Sequence, residues 1–274
     1  MRDSRHGKKQ EYRKAFKTWF GRSKDDAALA LEQRGFNVAV FERDDHFSQR
    51  KQGYGLTLVY NESGPLAELG LLKLCAKEDT PSRSHYVFDS GGSILGYFGN
   101  SFPLPQVALP QRGNLRIPRQ ALRKMLLDRL HAGTVRWGHR LMGYEEHPDA
   151  AGVSLTFENG SVEQAALLVG ADGVNSLIRT HKTLDPLKYL GVMIILGLAP
   201  YRHALLDERG FYTLDGTHRL FTMPFSKGTE SEPPTIMWQL SFTGLDEQQA
   251  RQLAAQGRKC LSGVQAGTSQ FATW

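Results

Sequence analysis

The sequence predicts an α/β protein in which a layered domain with a parallel sheet is interleaved with a second, mixed β-sheet. Three observations lead to this class. A helix, a glycine and a buried strand that ends in an acid follow one another over residues 25–42. A short apolar run at 167–169 stops at a corner with two glycines and is followed by a helix start. Strand-like runs separated by turn residues occupy 85–98 and 190–242.

The composition is that of a globular chain with a sizeable core. A length of 274 residues, of which 40% are hydrophobic and 23% charged, fits one large domain or two interleaved ones. The longest apolar run, 190–200, is about half of the ~20 residues that a membrane-spanning helix needs, so no integral membrane segment is expected. Cys75 and Cys260 lie far apart without a CxxC pair, which indicates neither a disulfide framework nor a metal site. We therefore expect a cytoplasmic protein without a bound metal.

The net charge of +6 comes from the first residues of the chain. Residues 1–24 hold nine Lys or Arg against Asp3 and Glu11, whereas the rest of the chain holds 25 basic and 26 acidic residues. This distribution does not indicate a nucleic-acid-binding body. We expect residues 1–24 to form a basic tail, disordered or in a short helix, because Tyr12 and Phe16 recur at helical spacing among basic residues. Organellar targeting by this segment is the alternative.

Residues 25–42 have the order of half a dinucleotide-binding unit. An aspartate can cap a helix-forming run, Gly35 supplies its left-handed end, and a buried strand then ends at Glu42. In a βαβ unit that binds a dinucleotide, the acid at this place accepts hydrogen bonds from the ribose. Glu42 is therefore a candidate ribose-binding residue.

The first half of such a unit is missing from the sequence pattern. The three glycines of a G-x-G-x-x-G turn would fall at 19, 21 and 24, where the chain has Trp19, Gly21 and Lys24. An indole keeps the backbone away from a pyrophosphate, and residues 13–18 look too charged for the central strand of a sheet. We expect the phosphate cradle to be lost, through splicing, gene-model error or divergence, and the sequence does not separate these.

Three further segments are interpreted from local patterns. The loop over 50–56 carries Arg50 followed by two glycines, which alone is a weak signal. Residues 63–74 predict a short helix with an apolar face. Residues 115–130 predict a strand end and a helix that begins at Pro118-Arg119.

The corner Gly170-Ala171-Asp172-Gly173 is the feature around which the second half of the chain is organised. The strands of 134–166, joined at Asn159-Gly160 by a strong hairpin signal, lead directly into it. Its glycines permit a sharp reversal, and Asp172 emerges at the carboxyl end of a strand, where ligands of open α/β sheets bind. An ordinary strand-to-helix turn would use the same residues.

The string Gly170-Ala171-Asp172-Gly173-x-x-Ser176-x-x-Arg179 resembles the second cofactor motif of the FAD-dependent aromatic hydroxylases, the para-hydroxybenzoate hydroxylase-like flavin monooxygenases. Arg50 to Gly55 resembles the R-x-x-G-x-G loop of that family. Arg119-x-x-Leu122-x-x-x-Leu126 resembles its cofactor-contacting arginine at the head of a helix. Together with Glu42 these matches stand in the family's order. The resemblance covers about residues 27–257 and lacks the glycine cradle and the closing Gly-Asp motif.

The resemblance implies a Rossmann-like FAD-binding three-layer domain interleaved with a mixed β-sheet substrate domain, incomplete at both ends. The implied parts are a FAD-binding domain at 25–84 and 108–184 with a β-ribbon at 134–166, a substrate sheet at 85–107 and 185–245, and a helix with a tail at 246–274. The implied cofactor-binding residues are Glu42, Arg43, Arg50, Gly53, Gly55, Arg119, Gly170, Ala171, Asp172 and Gly173.

The implied function is hydroxylation of an apolar, aromatic small molecule with FAD as cofactor, NAD(P)H as co-substrate and O2. Asp172 and Arg119 would position the pyrophosphate and ribityl, and Glu42 the ribose. No general acid or base is nominated, because none of the nine histidines has a recognisable catalytic setting. The alternative is a truncated flavin-domain remnant that binds FAD weakly or not at all.

Six residues of the predicted substrate sheet could line a hydrophobic pocket, although such residues are more often core. They are Phe211, Tyr212, Phe221, Met223, Met237 and Trp238.

Overall fold

The computed structural model describes residues 14–18, 22–49, 54–99, 113–148, 152–201 and 203–256, with side chains from residue 24 onward. The helices are α1 (Arg22–Glu32), α2 (Pro65–Glu68), α3 (Leu72–Lys77), α4 (Arg119–Leu127), α5 (Leu177–Thr183) and α6 (Glu247–Ala255). The strands are β1 (Lys14–Thr18), β2 (Asn37–Phe41), β3 (Gly55–Val59), β4 (Ser84–Asp89), β5 (Ile94–Gly99), β6 (Asn114–Pro118), β7 (Val135–Arg136), β8 (Leu141–His147), β9 (Gly152–Phe157), β10 (Val162–Ala165), β11 (Leu167–Val169), β12 (Val192–Pro200), β13 (Arg209–Leu214), β14 (His218–Ser226) and β15 (Thr235–Thr243).

The chain divides into two compact units. Unit 1 lies within Met1–Gly53, Asn61–Leu74 and Gln120–Leu187. Unit 2 lies within Tyr54–Tyr60, Cys75–Arg119 and Lys188–Trp274. Both mix helices with sheets, so the predicted α/β class with interleaved mixed sheets is confirmed. Among the described residues no helix is long and apolar enough to span a bilayer.

Unit 1 contains a four-stranded parallel sheet in the order β11-β1-β2-β7. Parallel neighbours need a crossover, and α1 supplies the one between β1 and β2. The chain leaves α1 through Gly35, whose φ of +80° suits a residue without a Cβ. The helix, glycine and strand predicted over 25–42 therefore form as expected, with α1 beginning three residues earlier, at Arg22.

The interpretation of residues 1–24 as a tail, and of 13–18 as too charged for a central strand, is wrong where the structure describes them. Lys14–Thr18 form β1, which pairs with β11 on one side and β2 on the other. A strand ladder is made by backbone groups that every non-proline residue carries, so neighbouring strands can hold a charged segment in place. Residues 1–13 and 19–21, including Trp19 and Gly21, lie outside the described residues.

A three-stranded antiparallel sheet, β10-β9-β8, completes the sheets of unit 1. The predicted hairpin turn at Asn159-Gly160 joins β9 to β10. The predicted ribbon over 134–166 is shorter than expected, because β7 pairs with β2 in the parallel sheet. The core under both sheets is a cluster of buried side chains from β2 and β8 to β10. Its members are Ala39, Phe41, Leu141, Val153, Leu155, Phe157 and Ala165.

Unit 2 is built on a six-stranded mixed sheet in the order β12-β15-β14-β13-β4-β5. The β13–β4 pair is parallel and the other pairs are antiparallel. Strands β3 and β6 form a separate antiparallel pair. Gly197 in β12 is required by packing, since a Cβ there would lie 2.2 Å from the Trp238 indole of β15.

The single helix predicted over 63–74 is instead two short helices. Gly70 adopts φ +69° between α2 and α3, a conformation that an α-helix cannot include. Apolar residues recur on both sides of this glycine, so the sequence pattern alone indicates one continuous helix.

Candidate functional site

The acids Glu42 and Asp172 lie at the same edge of the parallel sheet of unit 1. Glu42 directly follows β2, and Asp172 follows β11 by three residues. Both strands pair with β1, and Thr18 at the end of β1 is in register with Val40 and with Val169. Two strand spacings of about 4.8 Å separate β11 from β2. The topology therefore brings the two acids to the carboxyl edge, where α/β proteins bind ligands.

Asp172 has a buried carboxylate with one unused acceptor. Its residue is 8% exposed, and Oδ2 accepts a hydrogen bond of 3.3 Å from the Ile178 amide. Within the described part of the chain, no donor reaches Oδ1. A buried carboxylate oxygen without a donor is unfavourable by about 1–3 kcal/mol or more, so the corner is built to receive a donor.

The residues around Asp172 hold the corner rigidly. Gly173 takes φ +79°, which only glycine adopts without strain. A Cβ on Gly170 would lie 3.0 Å from the Ile178 side chain. Ser176 caps α5 by accepting a 2.9 Å hydrogen bond from the Arg179 amide. Ala171, between Gly170 and Asp172, is half-buried.

Glu42 is held by other charged residues of unit 1. Its residue is 2% exposed, and Oε2 accepts hydrogen bonds from the Lys24 ammonium and, at 3.1 Å, from Arg123 Nη2. Oε1 accepts a 3.2 Å hydrogen bond from the Asp44 amide. Arg123 also lies 3.9 Å from the Asp25 carboxylate. We call Lys24, Asp25, Glu42 and Arg123 the buried charge cluster.

Aromatic rings fix the guanidinium of the buried charge cluster. Arg123 lies over the rings of Phe47 and Trp137, at 5.4 and 5.5 Å from their centroids. Such stacking suits a planar cation. The family motif marks Arg119 on this helix and does not mark Arg123, which lies one turn further along. An arginine on the apolar face of an amphipathic helix was the signal that could have found it.

The other predicted site residues are spread over the chain. Arg43 follows Glu42 in unit 1 and is half-buried. Gly55 and Arg119 belong to unit 2, at the same end of the β3–β6 pair: Gly55 is opposite Pro118, and the Arg119 amide donates to Tyr54 at 3.0 Å. Arg50 and Gly53 lie outside the described residues. The structure thus brings Glu42, Arg43 and Gly170–Gly173 to one sheet edge, and Gly55 and Arg119 to another place in their own unit.

The aromatic and methionine residues of the large sheet are mainly core. Phe221, Met223 and Met237 are buried, with Tyr212 and Phe225 packed against them. Other aromatic residues stack among themselves: Phe211 lies 5.8 Å from Tyr86 and 6.1 Å from Phe88. These contacts match the core interpretation rather than an open pocket.

His85 is a buried residue of unit 2 that the sequence did not single out. Its Nε2 lies 3.1 Å from Ser82 Oγ, and its ring stacks on Phe98 at 4.6 Å. Burial, together with the nearby Arg116 charge, lowers the pKa of His85 from 6.5 to about 4. His85 is therefore a neutral structural ring at neutral pH.

We expect acid to destabilise unit 2 through His85. Between pH 6.5 and about 4, His85 is protonated in the unfolded chain but stays neutral in the folded chain. The free energy of unfolding therefore falls as the pH drops through this window. Thermal unfolding measured from pH 7 to 4 should show a loss of about 3 kcal/mol that His85→Phe removes. The exposed His131→Ala is the control and should keep the wild-type profile. An unchanged profile in His85→Phe would contradict this assignment.

Comparison with known proteins places the chain in a family. Residues 26–208 match the family described as "FAD binding domain". The chain belongs to this family. The match includes most of α1, all of β2, the predicted arginine at residue 119 and the Asp172 corner. The similarity of this chain to the FAD-dependent aromatic hydroxylases is thereby confirmed.

Individual relatives and structures agree with this family. The chain is 33% identical over 155 residues to YetM of Bacillus subtilis (strain 168), covering 56% of this chain and 40% of that protein. It is 38% identical over 180 residues to the 3-amino-4-hydroxybenzoate 2-monooxygenase of Streptomyces cremeus, covering 63% of this chain and 43% of that protein. The crystal structure of Klebsiella pneumoniae HpxO complexed with FAD and uric acid matches the fold with a TM-score of 0.65 at 22% identity, covering 90% of this chain and 61% of that one.

The match covers only part of each of these relatives. The chain spans about two fifths of their length.

FAD is the cofactor that the family implies, and the residues of unit 1 fit it at one place and not at another. At the Asp172 corner they fit, because a buried carboxylate oxygen lacks a donor among the described residues and Gly173 takes a left-handed turn beside it without a side chain. At Glu42 they do not fit as arranged. The carboxylate that would accept the ribose hydroxyls already accepts from Lys24, Arg123 and the Asp44 amide.

Proposed function

We propose that this chain binds FAD as part of a monooxygenase that hydroxylates an apolar, aromatic small molecule with NAD(P)H and O2. The observation that carries the proposal is the buried Asp172 carboxylate, whose Oδ1 lacks a donor among the described residues. The corner lies at the carboxyl edge of the parallel sheet, within the segment that matches the FAD-binding family.

The chemistry of Asp172 selects which part of FAD it would contact. A carboxylate oxygen accepts hydrogen bonds, and phosphate oxygens at neutral pH have none to give. The hydroxyls of the ribityl chain can donate. We therefore assign Asp172 to the ribityl, beside the pyrophosphate, with Gly170, Ala171 and Gly173 giving the cofactor close access to backbone.

The remaining assignments follow residue type. Arg119, Arg43 and Arg50 are proposed to face the phosphates, since guanidinium groups suit these oxygens. Gly53 and Gly55 are proposed to let the backbone pass the ribityl. When bound, FAD supplies the redox chemistry, and the protein groups orient it and exclude water.

The substrate class and the reductant are two further parts of the proposal. The Streptomyces cremeus relative is a 3-amino-4-hydroxybenzoate 2-monooxygenase, whose name describes a small aromatic acid as substrate. This supports an aromatic substrate for the present chain. NAD(P)H as reductant follows from the same family resemblance. A cytoplasmic location stays a prediction.

The first experiment measures flavin binding directly. The purified chain should show flavin absorption bands near 1:1 stoichiometry after incubation with FAD, and aromatic compounds should stimulate its oxidation of NAD(P)H. A colourless protein that does not take up FAD would contradict the proposal. That result would favour the alternative, a flavin-domain protein without cofactor or turnover, which the pairing of Glu42 with Lys24 also favours.

We expect Asp172→Asn to weaken FAD binding by about 10- to 100-fold, because a charge-assisted hydrogen bond is replaced by a neutral amide contact. Fluorescence titration of FAD measures this, with thermal unfolding as the check on folding. Asp185→Asn is the matched control, since Asp185 is exposed and follows the same helix. Equal FAD affinities in Asp172→Asn and Asp185→Asn would show that Asp172 does not contact FAD.

A further inference from the structure

Lys24 lies where a dinucleotide-binding unit carries its third glycine. In such units that glycine allows close approach of helix and strand. Here Lys24 is in the first turn of α1 and is 2% exposed. Its ammonium crosses to the end of β2 and bonds to Glu42 Oε2. A side chain from the position of a missing glycine thus contacts the acid that ribose would use.

The carboxylate of Glu42 is nearly saturated by these contacts. It has about four acceptor positions. The Lys24 ammonium, Arg123 Nη2 and the Asp44 amide occupy three of them, and two of these donors are cations. Ribose hydroxyls are neutral donors and compete poorly with a buried ammonium, since displacing it would leave a buried charge without its partner.

We propose that Lys24 is a specificity-determining residue that withholds Glu42 from the adenosine ribose of a flavin dinucleotide. The inference rests on the proposed function, since it concerns how FAD binds. FMN carries the same flavin, ribityl and one phosphate as FAD but no adenosine. Lys24 therefore lowers the affinity for FAD and not the affinity for FMN. Lys24 therefore weakens the adenosine half of the site and leaves the Asp172 corner unaffected.

The structure indicates that Lys24 can be removed without leaving Glu42 unpaired. Arg123 keeps its 3.1 Å hydrogen bond to Glu42 and its place between Phe47 and Trp137. Lys24→Ala opens the carboxylate to the ribose. Lys24→Met removes the ammonium but keeps the apolar stem that packs in the protein, so it serves as the second variant if the alanine variant folds poorly.

The test compares FAD and FMN affinities by fluorescence titration. Lys24→Ala and Lys24→Met should bind FAD at least about tenfold more tightly than the wild type, with FMN affinity unchanged. Lys124→Ala removes an exposed lysine of α4 and should leave both affinities at wild-type values. Weaker FAD binding would overturn the inference, since Lys24 would then be a cofactor ligand. Equal changes for FAD and FMN would overturn it as well.

The outcomes separate this inference from the proposed function. If the wild type binds FAD and the Lys24 variants bind it no better, the proposed function stands and the inference fails. If the wild type does not bind FAD but a Lys24 variant does, the inference stands and the proposed function fails for the natural chain. If no variant binds FAD, both are wrong.

Discussion

Arg123→Ala is expected to lower the free energy of unfolding by about 3–5 kcal/mol, because it removes one of the two cations of the buried charge cluster and leaves the cluster with a buried net negative charge. Arg123 is 8% exposed and donates to Glu42 at 3.1 Å. Its loss also removes the cation that lies over Phe47 and Trp137. Glu42 would keep its contact with Lys24, whereas Asp25 would lose the guanidinium that lies 3.9 Å away.

Urea unfolding followed by circular dichroism measures this loss. Arg251→Ala is the matched control, because Arg251 is 72% exposed and pairs with Glu247 on the surface of α6, so we expect a change below about 0.5 kcal/mol. Arg123→Lys keeps the charge but not the planar fork, and an intermediate loss is expected. A loss below about 1 kcal/mol in Arg123→Ala would mean that the buried charge cluster contributes little to stability.

Local sequence patterns were sufficient for the elements that carry the site. The helix ended by Gly35, the strand that ends at Glu42 and the corner at Asp172 were all predicted, because caps, turns and apolar runs act over a few residues. The order of these motifs was enough to indicate the family.

The contacts of Glu42 were not predictable in the same way. Lys24 is 18 residues away in sequence and Arg123 is 81 residues away, so no local pattern connects them. In the sequence, Lys24 is notable only because it occupies the third glycine position of a G-x-G-x-x-G turn. Only the fold shows that its ammonium bonds to Glu42. Similarly, β1 is a central strand because β2 and β11 pair with it, although its charged residues alone indicate a basic tail rather than a strand.

Phe157→Ala is expected to lower the free energy of unfolding by about 3–5 kcal/mol through the cavity that it leaves. Phe157 is 2% exposed and stacks on Phe41 with ring centroids 4.5 Å apart. The ring of His139 meets it edge-on at 5.2 Å. Phe41 precedes Glu42, so this stack also supports the end of β2.

The same cluster links stability to the site. Leu168 and Ile178, which flank the Asp172 corner in sequence, pack against the core that contains Phe157. Phe157→Ala should therefore weaken FAD binding together with stability, whereas Phe157→Leu, which conserves most of the volume, should lose less than about 1.5 kcal/mol. Met142→Ala is the control on the same sheet, because Met142 is 54% exposed. Hydrogen exchange of the β9 amides, measured with urea unfolding, distinguishes a local opening of this sheet from global unfolding. If Phe157→Ala and Met142→Ala were equally stable, the stack on Phe41 would not be the support of this edge.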